Sequence, residues 1–337
     1  MRHQHVSKLD ARHKQKCCHK EGRENLIETK FIHACIPLFG APLTSVVRHA
    51  TTGHFHSEIA QCPQVPIVDL MLLPMQKRVY VMNCRIMNPP ASPVIIIPAR
   101  MAAARLPGKP LADIAGKPMI QHVWERAVAA DLAPVWVATD DDGIADAVRA
   151  AGGQAVITRA DHPSGSDRVF EAVERIDPDR HHDAILNLQG DLPELDAAIP
   201  HRLLSAMGDE TASLATLVTP ASDAEAAREQ VVKAVVSWDR QTPASQRTGR
   251  ALYFSRAIIP TGEAIKYHHI GVYGWRRAAL AAFVALPPSP LEQSERLEQL
   301  RALEAGMVIA VAEIDHAPGG IDTPADLDAV RRRLAND

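Results

Sequence analysis

Residues 94–118 read VIIIPARMAAARLPGKPLADIAGKP, and this stretch decides the fold. Its first four residues form a β-branched apolar run, typical of a strand buried on both faces of a sheet, and we expect Pro98 to end it. The small-residue loop that follows carries Arg100, Arg105 and Lys109, without an obvious acidic partner nearby in sequence. In an α/β sheet this loop lies at the carboxyl edge, where ligands bind. Forked arginine donors and a lysine charge indicate triphosphate binding, and a solvated basic loop is the alternative.

Strand-like and helix-like segments alternate beyond this loop, which predicts an α/β fold with a largely parallel sheet. Further strands are predicted at 135–138, 155–158 and 184–188, and a helix capped by Ser164 is predicted to run to Ile176. A first helix opens at 116–118, and its apolar residues repeat at helical spacing. We expect these to face the sheet: Ile120, Val123, Trp124, Ala127 and Val128.

Neither a P-loop nor a Rossmann glycine motif occurs in the chain. The loop instead resembles the signature loop of the sugar-activating cytidylyltransferases, most closely the 3-deoxy-manno-octulosonate cytidylyltransferase (CMP-Kdo synthetase) family. The resemblance runs with interruptions from about Val94 to Leu334, and seven later blocks follow in the family's order. They are ATDD (138–141), TRADHPSGSDR (158–168), NLQGD (187–191), ALYFSRAIIP (251–260), HIGVYGWR (269–276), PSPLEQSERLEQLR (288–301) and GGIDTP (319–324).

The resemblance implies a three-layer, Rossmann-like fold of the nucleotidyltransferase type, with a mostly parallel sheet flanked by helices. Beyond about residue 210 the right-handed crossovers become less evident, so we expect a mixed region that carries sugar recognition and dimer contacts. Strands are predicted there at 213–218, 231–237, 251–254 and 270–274. Helices at 291–305 and 324–334 should flank a strand at 307–312, the last helix with Thr323 as N-cap and Pro324 at its first position.

Composition divides the chain near Met87. Residues 1–86 hold all five cysteines, eight of the sixteen histidines, and 12 basic against 6 acidic residues, whereas the remainder holds 25 basic against 34 acidic residues. The cysteine-free, acidic remainder is typical of a cytoplasmic enzyme and argues against nucleic-acid binding. Residues 65–74 are apolar but too short to span a bilayer. We expect residues 87–337 to form the cytidylyltransferase domain.

The first 86 residues lie outside the resemblance. Their cysteine and histidine spacing does not suit a zinc site, and Cys17 and Cys18 are adjacent. A secretory signal is also not indicated, because the first twenty residues are polar and basic. We interpret residues 1–86 as the product of an upstream start site, and a disordered or targeting extension is the alternative.

The reaction that the resemblance implies is nucleotidyl transfer. The anomeric hydroxyl of 3-deoxy-D-manno-octulosonate (Kdo), a 2-keto-3-deoxy sugar acid, attacks the α-phosphorus of CTP, expels pyrophosphate and gives CMP-Kdo for lipopolysaccharide biosynthesis. Negative charge grows on the bridging and leaving oxygens, so the site must supply cations. Mg²⁺ is the expected cofactor, because it binds one or two carboxylates alongside phosphate oxygens. The resemblance also implies a homodimer, and we expect no stable membrane insertion.

Asp191 and Asp322 are the candidate metal ligands. Asp191 follows a buried strand and two small turn residues, which should place its carboxylate at the ligand edge. Asp322 directly precedes a helix N-cap, where an aspartate is also common for reasons of the helix dipole. Arg100, Arg105 and Lys109 are the expected catalytic grip on the triphosphate, with Arg105 and Lys109 on the leaving pyrophosphate.

The remaining assignments follow the family blocks. Ser164, Arg168 and Gln189 belong to the nucleotide side, and Arg256 is the candidate partner of the sugar carboxylate. Four further residues match positions that line the sugar site, although each also suits a half-buried strand or a solvated helix face: His269, Tyr273, Glu298 and Gln299.

Three departures affect these assignments. Leu192 replaces the glutamate that usually follows Asp191, and nearby Glu194 is a candidate to take over its role. The connection at 261–267 is shorter than is usual, and the usual Asn-Pro-Asn before Val231 is missing while Lys233 is kept. The last two lie in the sugar half of the expected site and do not touch the residues expected to carry the transfer chemistry.

Three alternatives remain open at the level of sequence. The substrate could be 8-amino-Kdo or a sialic acid, although the YFSRAIIP and PLEQ blocks favour Kdo. The chain could be a catalytically inactive nucleotide-binding module, although the retained charged residues argue against that. A metal-binding regulator built on the histidine-rich and cysteine-rich N-terminal segment is the third.

Overall fold

The computed structural model describes residues 89–102, 106–240, 242–243 and 246–334. The expectations for residues 1–86 and for Arg105 therefore fall outside the described residues. Within them, no helix combines the length and the apolar character needed to cross a membrane.

The described chain folds around a nine-stranded sheet with strand order β5-β4-β1-β6-β10-β7-β11-β9-β8. The strands β5, β4, β1 and β6 are parallel, β10 runs antiparallel between β6 and β7, and β11 is parallel to β7. Strands β9 and β8 complete this order with antiparallel pairs. These strands are β1 (Pro93–Ala99), β4 (Val135–Thr139), β5 (Gln154–Ile157), β6 (Ala184–Asn187), β7 (Leu214–Ala221), β8 (Lys233–Trp238), β9 (Thr248–Ser255), β10 (Lys266–Arg276) and β11 (Ile309–Glu313). The predicted mixed second half is confirmed.

Strand β10 changes partner along its length. Its second half pairs with β6, and its first half pairs with β8 through Tyr267 opposite Ala234. Because β7 lies along its other edge, the strands β10, β7, β11, β9 and β8 close on one another. This closed end of the sheet carries His269 and Tyr273, two of the residues expected to recognise the sugar.

Helices cover both faces of the sheet, as predicted for a three-layer fold. They are α1 (Met119–Ala129), α2 (Asp142–Ala150), α3 (Gly165–Ile176), α4 (Ala198–Ala206), α5 (Asp223–Ala226), α6 (Arg277–Val284), α7 (Pro290–Glu295), α8 (Gln299–Glu304) and α9 (Pro324–Leu334). Alternate residues of β1 enter the two cores, since Ile95 packs in the cluster with α1, α2 and α4 while Ile96 packs in the cluster with α3, α6 and α8. This alternation follows the two-residue repeat of a strand.

A small third core ties the C-terminus of the fold to the first loop. Helix α9 packs through Leu327 and Val330 against Ile114 of a short hairpin, β2 (Asp113–Ile114) and β3 (Lys117–Pro118). Thr323 and Asp326 cap the start of α9, as predicted. The Thr323 amide donates to Asp326 Oδ2 at 2.8 Å, and the Asp326 amide donates to Thr323 Oγ1 at 3.2 Å. The cap fixes the chain directly after Asp322.

Pro98 does not end the first strand, which is a correction to our prediction. Pro98 pairs with Ala138 inside the sheet. The Ile95 amide binds the Pro134 carbonyl on the β4 side, so by alternation the nitrogen of Pro98 faces the β6 side. Strand β6 ends at Asn187, opposite Ile96, and the N–H that proline lacks would have no strand partner there.

Two further predictions are wrong. Val128 is 45 % exposed, because it lies at the edge of the face that α1 turns to the sheet. The single helix predicted over 291–305 is instead two, separated by Arg296 with a φ of 55°. The left-handed conformation of Arg296 turns the chain, and α8 starts in a new direction at Gln299. The hairpin β2–β3 and helices α4, α5 and α6 were not predicted.

Candidate active site

A pocket of about 410 Å³ opens at the carboxyl ends of strands β1 and β6. It lies where the sequence predicts the ligand edge of the sheet. Seven of the predicted site residues line it together: Arg100, Lys109, Ser164, Arg168, Gln189, Asp191 and Asp322. Their roles stay predictions, but their convergence from four separate segments of the chain is a property of the fold.

Lys109 lies at the centre of the charged end of this pocket. Gly108 precedes it with a φ of 71°, a left-handed conformation that glycine adopts without strain, and the chain then enters a single 3-10 turn. The Lys109 ammonium lies 2.8 Å from Asp191 Oδ2 and 3.8 Å from Asp322 Oδ1, and it donates to the Ile321 carbonyl at 2.5 Å. One cation therefore joins the loops after β1 and β6 to the turn before α9.

The two carboxylates are held by their backbones as well. A Cβ at Gly190 would lie 2.7 Å from the Pro98 carbonyl oxygen, so only glycine allows Asp191 to pass this close to β1. The Ile321 amide donates to the Asp191 carbonyl at 3.1 Å, which links the two acidic loops directly. Asp191 and Asp322 are thus fixed near a common point at the pocket's edge.

The donor set suits Mg²⁺ that also binds phosphate. Within the described parts of the chain, no three His, Cys, Asp or Glu side chains form a group that could hold a metal ion by themselves. Asp191 and Asp322 nevertheless both lie within 4 Å of one ammonium, so their positions allow both to contact a single cation. Two carboxylates completed by substrate oxygens are a common magnesium arrangement.

Leu192 and Glu194 do not extend this acidic pair. Leu192 is 8 % exposed and packs in the core cluster with Ile95. The Glu194 carboxylate forms an ion pair with Arg333 of α9, and the hydrogen bond from Arg333 lowers the pKa of Glu194. The suggestion that Glu194 replaces the missing glutamate is not supported, because its carboxylate is engaged by α9.

The N-terminus of α3 forms the opposite wall of the pocket. Ser164 is the N-cap and accepts a hydrogen bond from the Asp167 amide, as predicted. Its hydroxyl lies 2.6 Å from Asp167 Oδ2 and 3.1 Å from Glu298 Oε1. Helix N-termini favour anions, and Ser164 connects this one to the residue predicted to bind sugar.

Arg168 brings a buried positive charge into the same wall. Its side chain is 4 % exposed, and Nη1 donates to Thr158 Oγ1 at 2.6 Å and lies 3.3 Å from Asp140 Oδ1. Burial lowers the pKa of the guanidinium and the charge of Asp140 opposes that shift. Arginine stays charged at neutral pH, so the pocket wall carries a cation with little water around it.

The four residues predicted to line the sugar site form a connected cluster, which we call the sugar-side cluster: His269, Tyr273, Glu298 and Gln299. The His269 and Tyr273 rings lie 5.7 Å apart between centroids, and the Tyr273 hydroxyl donates to Gln299 Oε1 at 3.3 Å. Glu298 adjoins Gln299 and reaches Ser164, so the cluster continues the pocket. The Gln299 Nε2 is buried without a hydrogen-bond partner among the described residues.

Burial sets the protonation of this cluster. It lowers the pKa of the His269 imidazole to about 3, so the ring is neutral at neutral pH. Thr216 Oγ1 lies 2.9 Å from His269 Nε2 and within 3.1 Å of two backbone carbonyls, which accept its hydrogen. His269 Nε2 is therefore the protonated nitrogen, and Nδ1 is an acceptor. Burial also raises the pKa values of Tyr273 and Glu298.

Arg256 lies outside the residues that line the pocket. Its guanidinium donates to the backbone carbonyls of Glu295 at 3.0 Å, and of Glu229 and Arg296 at 3.3 Å each. These bonds use three of the five N–H donors of an arginine. Arg256 thereby fixes the turn at Arg296 that separates α7 from α8. Two of its N–H donors remain for a substrate carboxylate.

Three residues that sequence reasoning did not assign also contribute to the site. Asp140 faces Arg168, and His162 lines the pocket while its Nε2 is bound to Glu171. Lys233 is fully buried, and its ammonium donates to the carbonyls of Arg228, Val231 and Arg256 at 3.1, 2.8 and 2.5 Å. In the sequence, Lys233 could have been recognised as a lysine within an otherwise apolar strand. Asp140 and His162 could have been recognised because they lie within the family blocks at 138–141 and 158–168.

Comparison with known proteins places the chain beside one group of enzymes. Residues 94–309 match the family model for cytidylyltransferases. The chain is 57 % identical over 244 residues to a 3-deoxy-manno-octulosonate cytidylyltransferase of Parvibaculum lavamentivorans, covering 72 % of this chain and 93 % of that protein. It is 55 % identical over 246 residues to the one of Rhodospirillum centenum, covering 73 % and 94 %.

A solved structure is similar over the same region. It is that of a CMP:2-keto-3-deoxy-manno-octonic acid synthetase complexed with CTP, with a TM-score of 0.66 and 45 % identity, and the match covers 73 % of this chain and 99 % of that one. The nucleotidyltransferase-type α/β fold implied by the sequence blocks is therefore confirmed.

Proposed function

We propose that this chain, which belongs to the cytidylyltransferase family, transfers CMP from CTP to the anomeric hydroxyl of Kdo and releases pyrophosphate. The observation that carries the proposal is the pocket at the carboxyl ends of β1 and β6. It places Lys109, Arg100 and Arg168 beside two carboxylates, which is the charge distribution that a metal-bound triphosphate requires.

The nucleotide half of the reaction is assigned to the charged end of the pocket. Arg100 and the N-terminus of α3 are proposed to bind phosphate oxygens, with Ser164, Arg168 and Gln189 on the nucleotide side. Arg105 and Lys109 are proposed to stabilise the leaving pyrophosphate. The Lys109 ammonium donates to Asp191 and Ile321, which leaves the third of its three N–H donors for a phosphate oxygen.

We propose that Asp191 and Asp322 hold Mg²⁺. When bound, the ion supplies positive charge to the phosphate oxygens and lowers the barrier to attack at the α-phosphorus. The two side chains are 33 % and 51 % exposed, so substrate oxygens and water can complete the coordination.

The sugar half is assigned to the sugar-side cluster and to Arg256. Neutral His269 offers an acceptor at Nδ1, and Gln299 offers a buried donor at Nε2. One sugar hydroxyl can therefore donate to His269, and another can accept from Gln299. Arg256 is proposed to bind the sugar carboxylate with its two remaining donors. The contact between Glu298 and Ser164 brings this half next to the nucleotide.

We further propose that residues 87–337 form the catalytic domain, and that the protein works in the cytoplasm as a homodimer. The matched region supports the domain, and the cysteine-free composition of residues 87–337 is typical of a cytoplasmic enzyme. Four of the five exposed large apolar side chains of the described chain lie between residues 252 and 291, in the mixed half that was expected to carry dimer contacts.

Release of pyrophosphate tests the function directly. The purified chain is incubated with Mg²⁺ and either CTP or UTP, and with Kdo, 8-amino-Kdo or a sialic acid, while pyrophosphate is followed by a coupled assay. We expect turnover with CTP and Kdo and little with UTP. Preference for 8-amino-Kdo or a sialic acid would replace Kdo in the proposal. Binding of CTP without turnover on any of the three would indicate an inactive nucleotide-binding module.

A further inference from the structure

Arg168 lines the nucleotide pocket as a cation that has lost nearly all its water. A buried guanidinium needs partners, since an unpaired charge in a low-dielectric site is costly. Within the described chain, its only hydrogen bond goes from Nη1 to Thr158 Oγ1. The donors on Nε and Nη2 have no described partner, and the residue faces the pocket.

Thr158 fixes one end of the guanidinium. Its backbone amide and its hydroxyl both donate to the Thr139 carbonyl, at 2.8 and 3.2 Å, so the hydroxyl hydrogen is committed to that carbonyl. The oxygen can then accept from Arg168. Thr139 is the last residue of β4, and Asp140 directly follows it, so the carbonyl that orients the Thr158 hydroxyl and the carboxylate that faces Arg168 come from the same strand end.

Asp140 supplies the negative charge that faces this cation. Its Oδ1 lies 3.3 Å from Arg168 Nη1, and this oxygen is buried without a hydrogen bond in the described structure. The second arginine of the pocket, Arg100, repels Arg168 electrostatically, whereas Asp140 attracts it. Asp140 therefore offsets both the burial of Arg168 and its repulsion from Arg100.

We propose that Asp140 is a positioning residue for the transfer reaction: it holds the Arg168 guanidinium in the pocket wall, so that the free donors on Nε and Nη2 face the bound cytidine nucleotide. The proposal rests on the proposed function, in that the nucleotide is taken to be CTP. Asp140 acts through Arg168 and lies outside the residues that line the pocket.

Steady-state kinetics of Asp140→Asn test this role. Asparagine keeps the shape and removes the charge, so the Arg168 guanidinium loses its ion pair. We expect the KM for CTP to rise roughly tenfold or more, with the KM for Kdo within about twofold and kcat little changed. Arg168→Ala should raise the KM for CTP at least as much, and combining it with Asp140→Asn should add little, because both changes remove the same contact.

The matched control is Asp177→Asn. Asp177 is also a buried aspartate, 5 % exposed, paired with an arginine, Arg277, but this pair lies away from the pocket. Asp177→Asn should lower thermal stability and leave both KM values unchanged. If Asp140→Asn behaves like this control, or raises both KM values equally, the positioning role is wrong.

Two additions keep the test decisive. If Asp140→Asn fails to fold, Thr158→Val replaces it in the test. This change removes the other acceptor of Arg168 at almost constant volume, and it should also raise the KM for CTP. Direct binding of CTP, measured by calorimetry on the full chain, separates the two proposals. Wild-type protein that binds CTP without turnover contradicts the proposed function alone, whereas unchanged CTP affinity in Asp140→Asn contradicts the positioning role alone.

Discussion

The charged end of the pocket and the sugar-side cluster lie next to each other, but the fold builds them differently. Lys109, Asp191 and Asp322 stand on loops next to strand or helix ends, are partly exposed, and are joined by one ammonium. His269, Tyr273 and Gln299 project from a strand and a helix, and their polar atoms are mostly buried and bonded to protein groups. In the first region, a ligand can replace bonds between protein groups. In the second region, most polar atoms are already bonded within the protein, and only a few donors and acceptors remain for a ligand.

The largest effects are therefore expected at the carboxylates. Asp191→Asn and Asp322→Asn should each abolish Mg²⁺-dependent turnover, because each removes a charge from the proposed metal site. Thermal stability should change by no more than about 1–2 kcal/mol, since both side chains are partly exposed and the substitution keeps their volume. Pyrophosphate release and thermal unfolding check the two halves of this prediction.

The control for the carboxylates is Glu194→Gln, which removes a nearby acid that is paired with Arg333 rather than with Lys109. This variant should keep its turnover. Near wild-type turnover in Asp322→Asn would instead return Asp322 to the ordinary role of an aspartate at a helix start.

Arg256→Ala should give a smaller effect, confined to the other region. The KM for the sugar acid should rise roughly tenfold to hundredfold, as expected for loss of about 1.5–3 kcal/mol from a charged hydrogen bond, with the KM for CTP nearly unchanged. The kinetics are measured with each substrate varied in turn. Arg250→Ala, at an exposed arginine of β9, the strand that directly precedes Arg256, is the control and should alter neither KM.

The contacts of Arg256 make this experiment informative in either direction. Because its guanidinium binds three backbone carbonyls, the same substitution also loosens the break between α7 and α8. A rise in both KM values would show that Arg256 holds the two regions together. The division into a nucleotide half and a sugar half would then have to be dropped.

The sequence could predict the first region well because its residues follow a simple rule. In a parallel sheet, the side chains just after the strands meet at one edge, so Arg100 and Asp191 could be placed from the ends of two apolar runs. The sequence identified Gly190 only as a small turn residue, and the structure shows that the loop after β6 passes close to Pro98 of β1 at this glycine. The strands of this half were predicted within a residue or two of their observed ends.

The second region depends on features that no short pattern carries. The turn at Arg296 divides one apparent helix into two. The partners of the buried Lys233 are two carbonyls from the turn before β8 and one carbonyl, that of Arg256, from beyond the end of β9. Pro98 remains in a strand because its neighbour ends earlier, which is a property of the sheet and not of the local sequence. The family blocks, rather than periodicity, pointed to the sugar-side cluster.

Burial of His269 should make stability depend on pH in a defined direction. Its pKa of about 3 lies below the ordinary value of 6.5, so the unfolded chain takes up a proton first as the pH falls. The stabilisation of the folded state by neutral, buried His269 is therefore complete above about pH 6.5, and it is lost progressively as the pH falls toward 3. Between pH 7.5 and pH 5, the free energy of unfolding should fall by about 2 kcal/mol more in wild type than in His269→Gln.

Urea unfolding of both proteins at the two pH values measures this difference. His181→Gln, at an exposed histidine, should follow wild type. Equal pH dependence in wild type and His269→Gln would show that the imidazole is not held neutral in the folded protein, and the sugar-side cluster would be more open than its contacts indicate.

The smallest effect is expected from the first 86 residues, which belong to neither region. About 244–246 residues of this chain account for 93–94 % of the length of two related enzymes, and the family match begins at residue 94. A chain that begins at Met87 keeps β1 and the helices that pack on the two faces of the sheet. We therefore expect it to retain full turnover and the same unfolding temperature, measured beside the full chain. An insoluble or inactive product, with the full chain active under the same conditions, would mean that residues 1–86 take part in the catalytic domain and that the boundary near Met87 is wrong.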